Sequence, residues 1–318
     1  MKKASRSKTT SVSRVVVVGS LNLDYFARVE TLPRPGETVA AERLTRFRGG
    51  KGANQAIAAA RQGCRVALLG AVGTDEEGGS YRRALEEEEG ICTDHLRTAR
   101  GETGSAFITV DRHGENMIVV APGANAELRR CDISRSAAEI ESCALLLGQF
   151  EVPPTSLIEA ARIANQSNAM VVINPSPFLP LFPWEEILTD VIVANGAEAE
   201  ALLGFRPDPA ADSAVRGRLH ELRARALVVT RGGDETLAFT EDGEAFTVPV
   251  LPVLPVDTVG AGDAFAGCLA ARLAQGETLK NAVRAANCAG ALTTLGAGAQ
   301  NPVPNRDQVE RHLPFLDP

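Results

Sequence analysis

Aromatic side chains are scarce in this 318-residue chain, at 4% of residues with a single tryptophan and two tyrosines. Proteins that grip single-stranded nucleic acid by stacking bases need more of them. Histidine is equally thin: His95, His113, His220 and His312 stand alone. That spacing suggests neither a histidine metal site nor a histidine-based triad. The six cysteines (64, 92, 131, 143, 268, 288) form no CxxC pair, and several sit in apolar runs, as Cys143 does in ESCALLLG. They read as buried free thiols of a reducing, cytoplasmic compartment. No stretch approaches the roughly 18 apolar residues of a membrane helix, so no membrane partner is expected. Positive charge is also short. The net charge is −7, and five cations (Lys2, Lys3, Arg6, Lys8, Arg14) crowd into the first 14 residues, which hold no acid. The remainder therefore stands at −12, the total less those five. This disfavours nucleic acid as a partner. The leader MKKASRSKTTSVSR lacks an apolar region behind its charges, so residues 1–13 read as a disordered tail.

What the chain has in quantity is short apolar runs alternating with helical patterns. VVVVG (15–19), VALLGAV (66–72), ALLLG (144–148), MVVIN (170–174), DVIVAN (190–195) and ALVVTRG (226–232) read as buried strands. Between them GANQAIAAARQ (52–62), PTSLIEAARIANQ (154–166) and SAVRGRLHELRAR (213–225) read as helices. Continuous apolar strands separated by helices imply an α/β fold: a doubly wound, mostly parallel sheet sandwiched by helices. Residues 23–30, 38–47, 105–111 and 116–121 alternate instead, which marks strands with one wet face. They form an expected small four-stranded sheet, inserted at about 23–48 and 104–121 into one domain spanning 14–318. The acidic run Glu86–Glu89 closes a helix and reads as a solvated face.

Several short motifs carry chemistry. In GSLNLD, Asn22 and Asp24 lie two apart, so in extended chain both project to one side. The pair suits hydroxyl recognition, or equally a turn. RGGKGANQA (48–56) fails the Walker pattern, because Lys51 is followed by Gly52 rather than Ser or Thr. It leaves a flexible turn around Gly50, Lys51 and Gly52 that opens an alanine-rich helix, with Asn54 in the first turn. Bare backbone there admits a ligand. QFEVP ends an apolar strand on Glu151, where open α/β sheets bind ligands. NGAEAE places Asn195 and Glu198 one helical turn apart. Taken alone, that pair reads as a helix cap with a dipole-favouring acid. Coordinating magnesium-bound waters is the other reading. In DTVGAGDAF (257–265) the turn Gly260-Ala261-Gly262 has little side-chain bulk. It lies at a helix N-terminus, whose amides and dipole favour an anion. Asp263 stands beside it, where an acceptor hydroxyl would need its proton removed as it attacks a phosphate. Its bland reading is a first-turn acid, which explains the carboxylate but not the glycines.

With GGKGAN and DTVGAGDAF in order, roughly 200 residues apart, the chain resembles the ribokinase-like (PfkB) carbohydrate and nucleoside kinases. GSLNLD, GENMIVVAPGAN (114–125), QFEVP, NPSP (174–177) and NGAEAEALLG add to the likeness, which runs from about residue 14 to the end. The resemblance implies phosphorylation of a free sugar by ATP, D-ribose giving ribose 5-phosphate. It implies Asp263 as general base and the amides of Gly260, Ala261 and Gly262 as an anion hole. It assigns Asn22, Asp24, Gly50, Lys51, Gly52, Asn54, Glu151 and Asp263 to the sugar. Asn195, Glu198, Thr230, Arg231, Gly232, Gly233, Gly262 and Asn287 go to the nucleotide, whose phosphates carry magnesium. Asp257, Val259, Thr293, Gly296 and Gly298 go to an activating potassium ion. The small sheet becomes a lid through which two copies form a homodimer. Two positions depart from the family pattern: Glu235 stands where a glycine is usual in the nucleotide loop, and Pro302 where a serine is common near the cation. The alternatives are a kinase for another sugar or nucleoside, such as deoxyribose, and a non-catalytic sugar-binding regulator on the same fold. The intact Asp263 argues against the regulator.

Overall fold

The computed structural model describes residues 12–316, so residues 1–11 of the expected tail lie outside it. In chain order the strands are β1 (Arg14–Val18), β2 (Asn22–Arg28), β3 (Arg43–Gly49), β4 (Arg65–Val72), β5 (Leu96–Thr98), β6 (Gly104–Val110), β7 (Asn116–Ala121), β8 (Leu145–Gln149), β9 (Met170–Asn174), β10 (Thr189–Asn195), β11 (Ala224–Arg231), β12 (Asp234–Thr240) and β13 (Ala245–Val248). The helices are α1 (Lys51–Arg61), α2 (Glu76–Glu87), α3 (Arg130–Arg135), α4 (Ala137–Glu141), α5 (Pro154–Gln166), α6 (Gly196–Leu203), α7 (Asp212–Glu221), α8 (Ala261–Ala274), α9 (Leu279–Thr293) and α10 (Arg306–His312).

Nine strands make one sheet in the order β13-β12-β11-β10-β9-β8-β1-β4-β5. It is parallel from β5 to β11, and β12 and β13 finish one edge as an antiparallel meander. From β1 the chain builds β4 and β5 on one side, then returns to lay β8 along the other edge of β1. The crevice outside the carboxyl ends of β1 and β8 is therefore a topological switch point, the place where such sheets bind ligands. Both faces are covered, which is why the strands are apolar without interruption. Val15 and Val17 of β1 enter one core with residues of α1, α8 and α9. Val16 and Val18 enter the other core with residues of α5, α6 and α7.

The small sheet runs β3-β2-β6-β7. Its β2 pairs antiparallel with β3 and parallel with β6, as two separate insertions require. The expected strand over 38–47 begins only at Arg43, because β2 ends at Arg28, the partner of Arg43, and earlier residues have nothing to pair with. The expected helix over 213–225 stops at Glu221: Arg223 takes φ 52°, and Ala224 already belongs to β11. The run Glu86–Glu89 is not simply a solvated face. Glu88 pairs with Arg48, and Glu89, largely buried, pairs with Arg61. Helix α8 is buried around its whole circumference: residues 263–273 are all buried, including Arg272, which is neutralised by Glu277 and Glu310. Of the six free cysteines four are buried, Cys92 is half-buried and Cys131 is exposed.

Candidate functional site

The alanines of α1 and α8 let two helix backbones approach closely. At Gly267 of α8 a Cβ would lie 2.4 Å from the Gln55 carbonyl oxygen, so only glycine fits. That approach delivers two amide side chains of α1 to the first turn of α8. Asn54 donates from Nδ2 to Asp263 Oδ2 at 2.9 Å, and Gln55 donates from Nε2 to Asp263 Oδ1 at 3.0 Å. Both oxygens of a buried carboxylate are thus held by neutral donors, which leaves each a further lone pair for a ligand hydroxyl. Gln55 is itself fixed: its Nε2 also donates to Asn174 Oδ1 at 3.0 Å, and its Oε1 accepts from Gln149 Nε2 at 2.7 Å. Asn174 in turn donates to the Val193 carbonyl at 2.8 Å.

The polar cluster beside Asp263 comes from β2, the β3–α1 turn and the end of β8. Asn22 and Asp24 share one face of β2, and both are buried. Asn22 Oδ1 accepts from Asn125 Nδ2 at 2.8 Å. Gly50 turns the chain at φ 90°, where a Cβ would sit 2.6 Å from the Asn22 nitrogen. This is why the turn that brings Lys51 to the site is built of glycine. Glu151 accepts from the Ser20 hydroxyl and from the Lys51 backbone N–H. Charges are dense here. Burial pushes the Asp24 carboxyl up to about 7; Glu151 and Asp263 add to the rise and Lys51 opposes it. Asp263 foremost, with Glu151, Glu198 and Asp24, holds the Lys51 ammonium above its ordinary value against burial. One cation among four carboxylates suits a neutral polyol that can both donate and accept hydrogen bonds.

On the other side of Asp263 a groove of about 540 Å³ is lined by Thr230, Gly232, Gly233, Val250, Gly262 and Asn287, among others. Gly260 caps α8 with backbone alone, and no side chain accepts from the first turn. Ala261 N–H turns to the Thr258 carbonyl at 3.3 Å, while first-turn amides such as that of Gly262 have no intrahelical acceptor. Arg231 does not line the groove; its Nε donates to the Glu235 carbonyl at 2.8 Å, and the Glu235 side chain is exposed. Asn287 lines the groove, but its amide is spent on scaffold. It donates to the Val248 and Pro249 carbonyls and accepts from the Thr236 hydroxyl. Asn195 and Glu198 cap each other's backbone N–H groups, both at 2.9 Å. The cap reading is therefore realised, and the charge of Glu198 still acts on Lys51.

Behind the groove, Asp257 laces two segments together. Its carboxylate accepts from Val259 N–H at 3.0 Å and from Gly298 N–H at 2.9 Å. The Thr294 carbonyl accepts from the N–H groups of Val256 and Asp257. Thr293 is buried and its hydroxyl donates to Ala289 O, leaving its carbonyl as the oxygen on offer. Gly296 packs against the ring of Pro302: a Cβ there would lie 2.7 Å from the proline Cβ. Among the described residues no group of three or more His, Cys, Asp or Glu gathers to hold a metal. A cation at this loop would meet one carboxylate and carbonyl oxygens, a hard donor set that fits an alkali ion.

The motifs pointed to the charged residues and missed the amides that place them: Gln55, Asn125, Gln149, Asn174 and Gln300, together with Ser20 and Tyr81. Ser20, Gln55, Asn125, Gln149 and Asn174 each sit in a motif singled out above (GSLNLD, RGGKGANQA, GENMIVVAPGAN, QFEVP and NPSP) but were passed over there in favour of their neighbours. Tyr81 and Gln300 lie outside those motifs.

Residues 12–306 match the family model described as pfkB family carbohydrate kinase. A ribokinase of Haemophilus influenzae is 35% identical over 308 residues, covering 95% of this chain and 98% of its own. A bifunctional ribokinase/ribose-5-phosphate isomerase A of Fructilactobacillus sanfranciscensis is 34% identical over 302 residues; the chain spans 56%, about half, of that longer protein. Among solved structures, the ribokinase of Arabidopsis thaliana complexed with ribose and ATP superposes with a TM-score of 0.85 at 27% identity, covering 95% of this chain and 99% of its own.

Proposed function

This chain belongs to the pfkB family of carbohydrate kinases, and we propose that within it the molecule transfers the γ-phosphoryl group of ATP to D-ribose, giving ribose 5-phosphate. The observation that carries this reading is the placement of Asp263. It stands between a polar cluster suited to a polyol (buried Asn22, Asp24 and Asn54 with half-buried Lys51 and Glu151) and a groove ending at a bare helix N-terminus. In the proposed step the terminal hydroxyl of the sugar attacks phosphorus in line and its proton passes to Asp263. The bond between the γ-phosphorus and the bridging oxygen breaks, and ADP leaves. Amides of the 260–262 turn stabilise charge on the transferring group. Magnesium accompanying ATP would neutralise phosphate charge, and Asn195 and Glu198 would orient its waters. We further propose potassium at the Asp257–Gly298 loop and the small sheet as a lid that excludes water. We propose also a single kinase domain, a homodimer joined lid to lid, and a cytoplasmic location suited to six free thiols.

The test is ADP formation against pentoses, 2-deoxyribose, hexoses and nucleosides. Ribose is expected to have the highest kcat/KM. 2-Deoxyribose should fall roughly 10- to 10³-fold lower, because the missing hydroxyl leaves buried polar groups without a partner. Higher kcat/KM for a nucleoside or for 2-deoxyribose would replace ribose as the substrate. No turnover with any of them, together with tight sugar binding, would favour the regulator.

A further inference from the structure

We infer that Gln300, in the loop after α9, is a positioning residue for the proposed base. This rests on the kinase reading given above. Gln300 Nε2 donates to Asn54 Oδ1 at 2.9 Å and to the Tyr81 hydroxyl at 2.5 Å. Tyr81, fully buried on α2, donates its own hydrogen to the Gly49 carbonyl at 2.6 Å, at the foot of β3.

The direction of this chain follows from its two ends, the Asp263 carboxylate and the Gly49 carbonyl, which can only accept. An ionised Asp263 only accepts, so Asn54 must turn its NH₂ toward it. Asn54 Oδ1 then faces Gln300, which must present its own NH₂. The same nitrogen meets the Tyr81 oxygen, whose hydrogen is thereby directed to Gly49. Rotating the Asn54 amide by half a turn would set oxygen against carboxylate and NH₂ against NH₂. Gln300 therefore makes the productive orientation of Asn54 the only comfortable one. It also ties that orientation to the lid strand through Tyr81, and to the Asp257 loop through its neighbour Gly298. The Gln300 carbonyl accepts from Arg61 Nη1 at 2.7 Å, which holds the loop in place independently of the side chain. Side-chain substitutions can therefore separate orientation from loop anchoring.

The test compares the full chain with Gln300→Met, Gln300→Glu, Asn54→Ala and the double variant Gln300→Met/Asn54→Ala, reading kcat, both KM values and the thermal midpoint. Gln300→Met keeps length and removes the donor; it should lower kcat roughly tenfold, with the KM for ATP within about twofold. Gln300→Glu should be worse than Met, since its carboxylate draws the Asn54 NH₂ away from Asp263. In the Asn54→Ala background, Gln300→Met should cost less than about twofold, because nothing remains to orient. Equal losses in both backgrounds, or Glu tolerated as well as Met, would overturn the inference while leaving the kinase reading intact. If the unsubstituted chain fails to phosphorylate ribose or any other sugar, both fall.

Discussion

Asp24 carries a carboxyl where burial, Glu151 and Asp263 all oppose its charge, leaving it near 7 against an ordinary 3.8. The sign of the consequence follows. The fold favours protonated Asp24, so its contribution to stability is full below about 4 and is lost as pH rises through 7. Asp24→Asn should therefore stabilise the sugar-free protein at pH 8, by up to a few kcal/mol, on the order of the shift converted at 1.36 kcal/mol per unit. The gain should shrink toward pH 5, and the KM for ribose should rise at both. Denaturant unfolding at the two pH values checks it; an equal change at both would assign the burial cost elsewhere. Asp24, Lys51 and Asp263 were legible because each is a charge inside a glycine-bearing motif, and Asn22 because it shares a strand face with Asp24. Gln55, Gln149 and Gln300 were not. An amide on a helix, at a strand end or in a loop has no local signature, and its meaning comes from a partner such as Asp263, 208 residues from Gln55.

At the scale of elements, the segments 256–259 and 294–298 form a bracket behind the anion-binding turn, closed by Asp257. A cation in that bracket would stiffen the backbone that carries Gly260 to Gly262. Initial rates measured in a tetraalkylammonium buffer should rise several-fold and saturably with potassium chloride, and less with sodium chloride at matched ionic strength. Pro302→Ser should lower the half-saturating potassium concentration by restoring a hydroxyl. A flat potassium response would remove the cation from the account. The seven parallel strands were legible largely as continuous apolar runs, since both of their faces are covered; three-residue β5 was not. The β12–β13 meander escaped notice because its apolar runs are too short to stand out, only Leu237-Ala238-Phe239 in DETLAFT and Ala245-Phe246 in AFTV. The late start of β3 and early end of α7 were set by partners and turns, not by local composition.

For the whole molecule, the small sheet leaves its β7 residues Met117, Ile118, Val119 and Val120 about half exposed, with Phe107 beside them on β6. Met117 and Val119 share a face with Phe107, while Ile118 and Val120 point to the other, so apolar side chains line both sides of this edge strand. They mark an interaction site, and a second copy is the proposed occupant. Sedimentation at micromolar concentration should give a dimer, and Val119→Asp a folded monomer with weakened sugar affinity. A monomeric unsubstituted chain would refute lid-to-lid assembly without touching the chemistry. The chemistry rests on a single proton acceptor. Its most direct test is the turnover of ATP with ribose by Asp263→Asn, which keeps the shape and removes the base. The account predicts a kcat roughly 10²- to 10⁴-fold lower with ATP affinity unchanged. Turnover near that of the unsubstituted protein would contradict it.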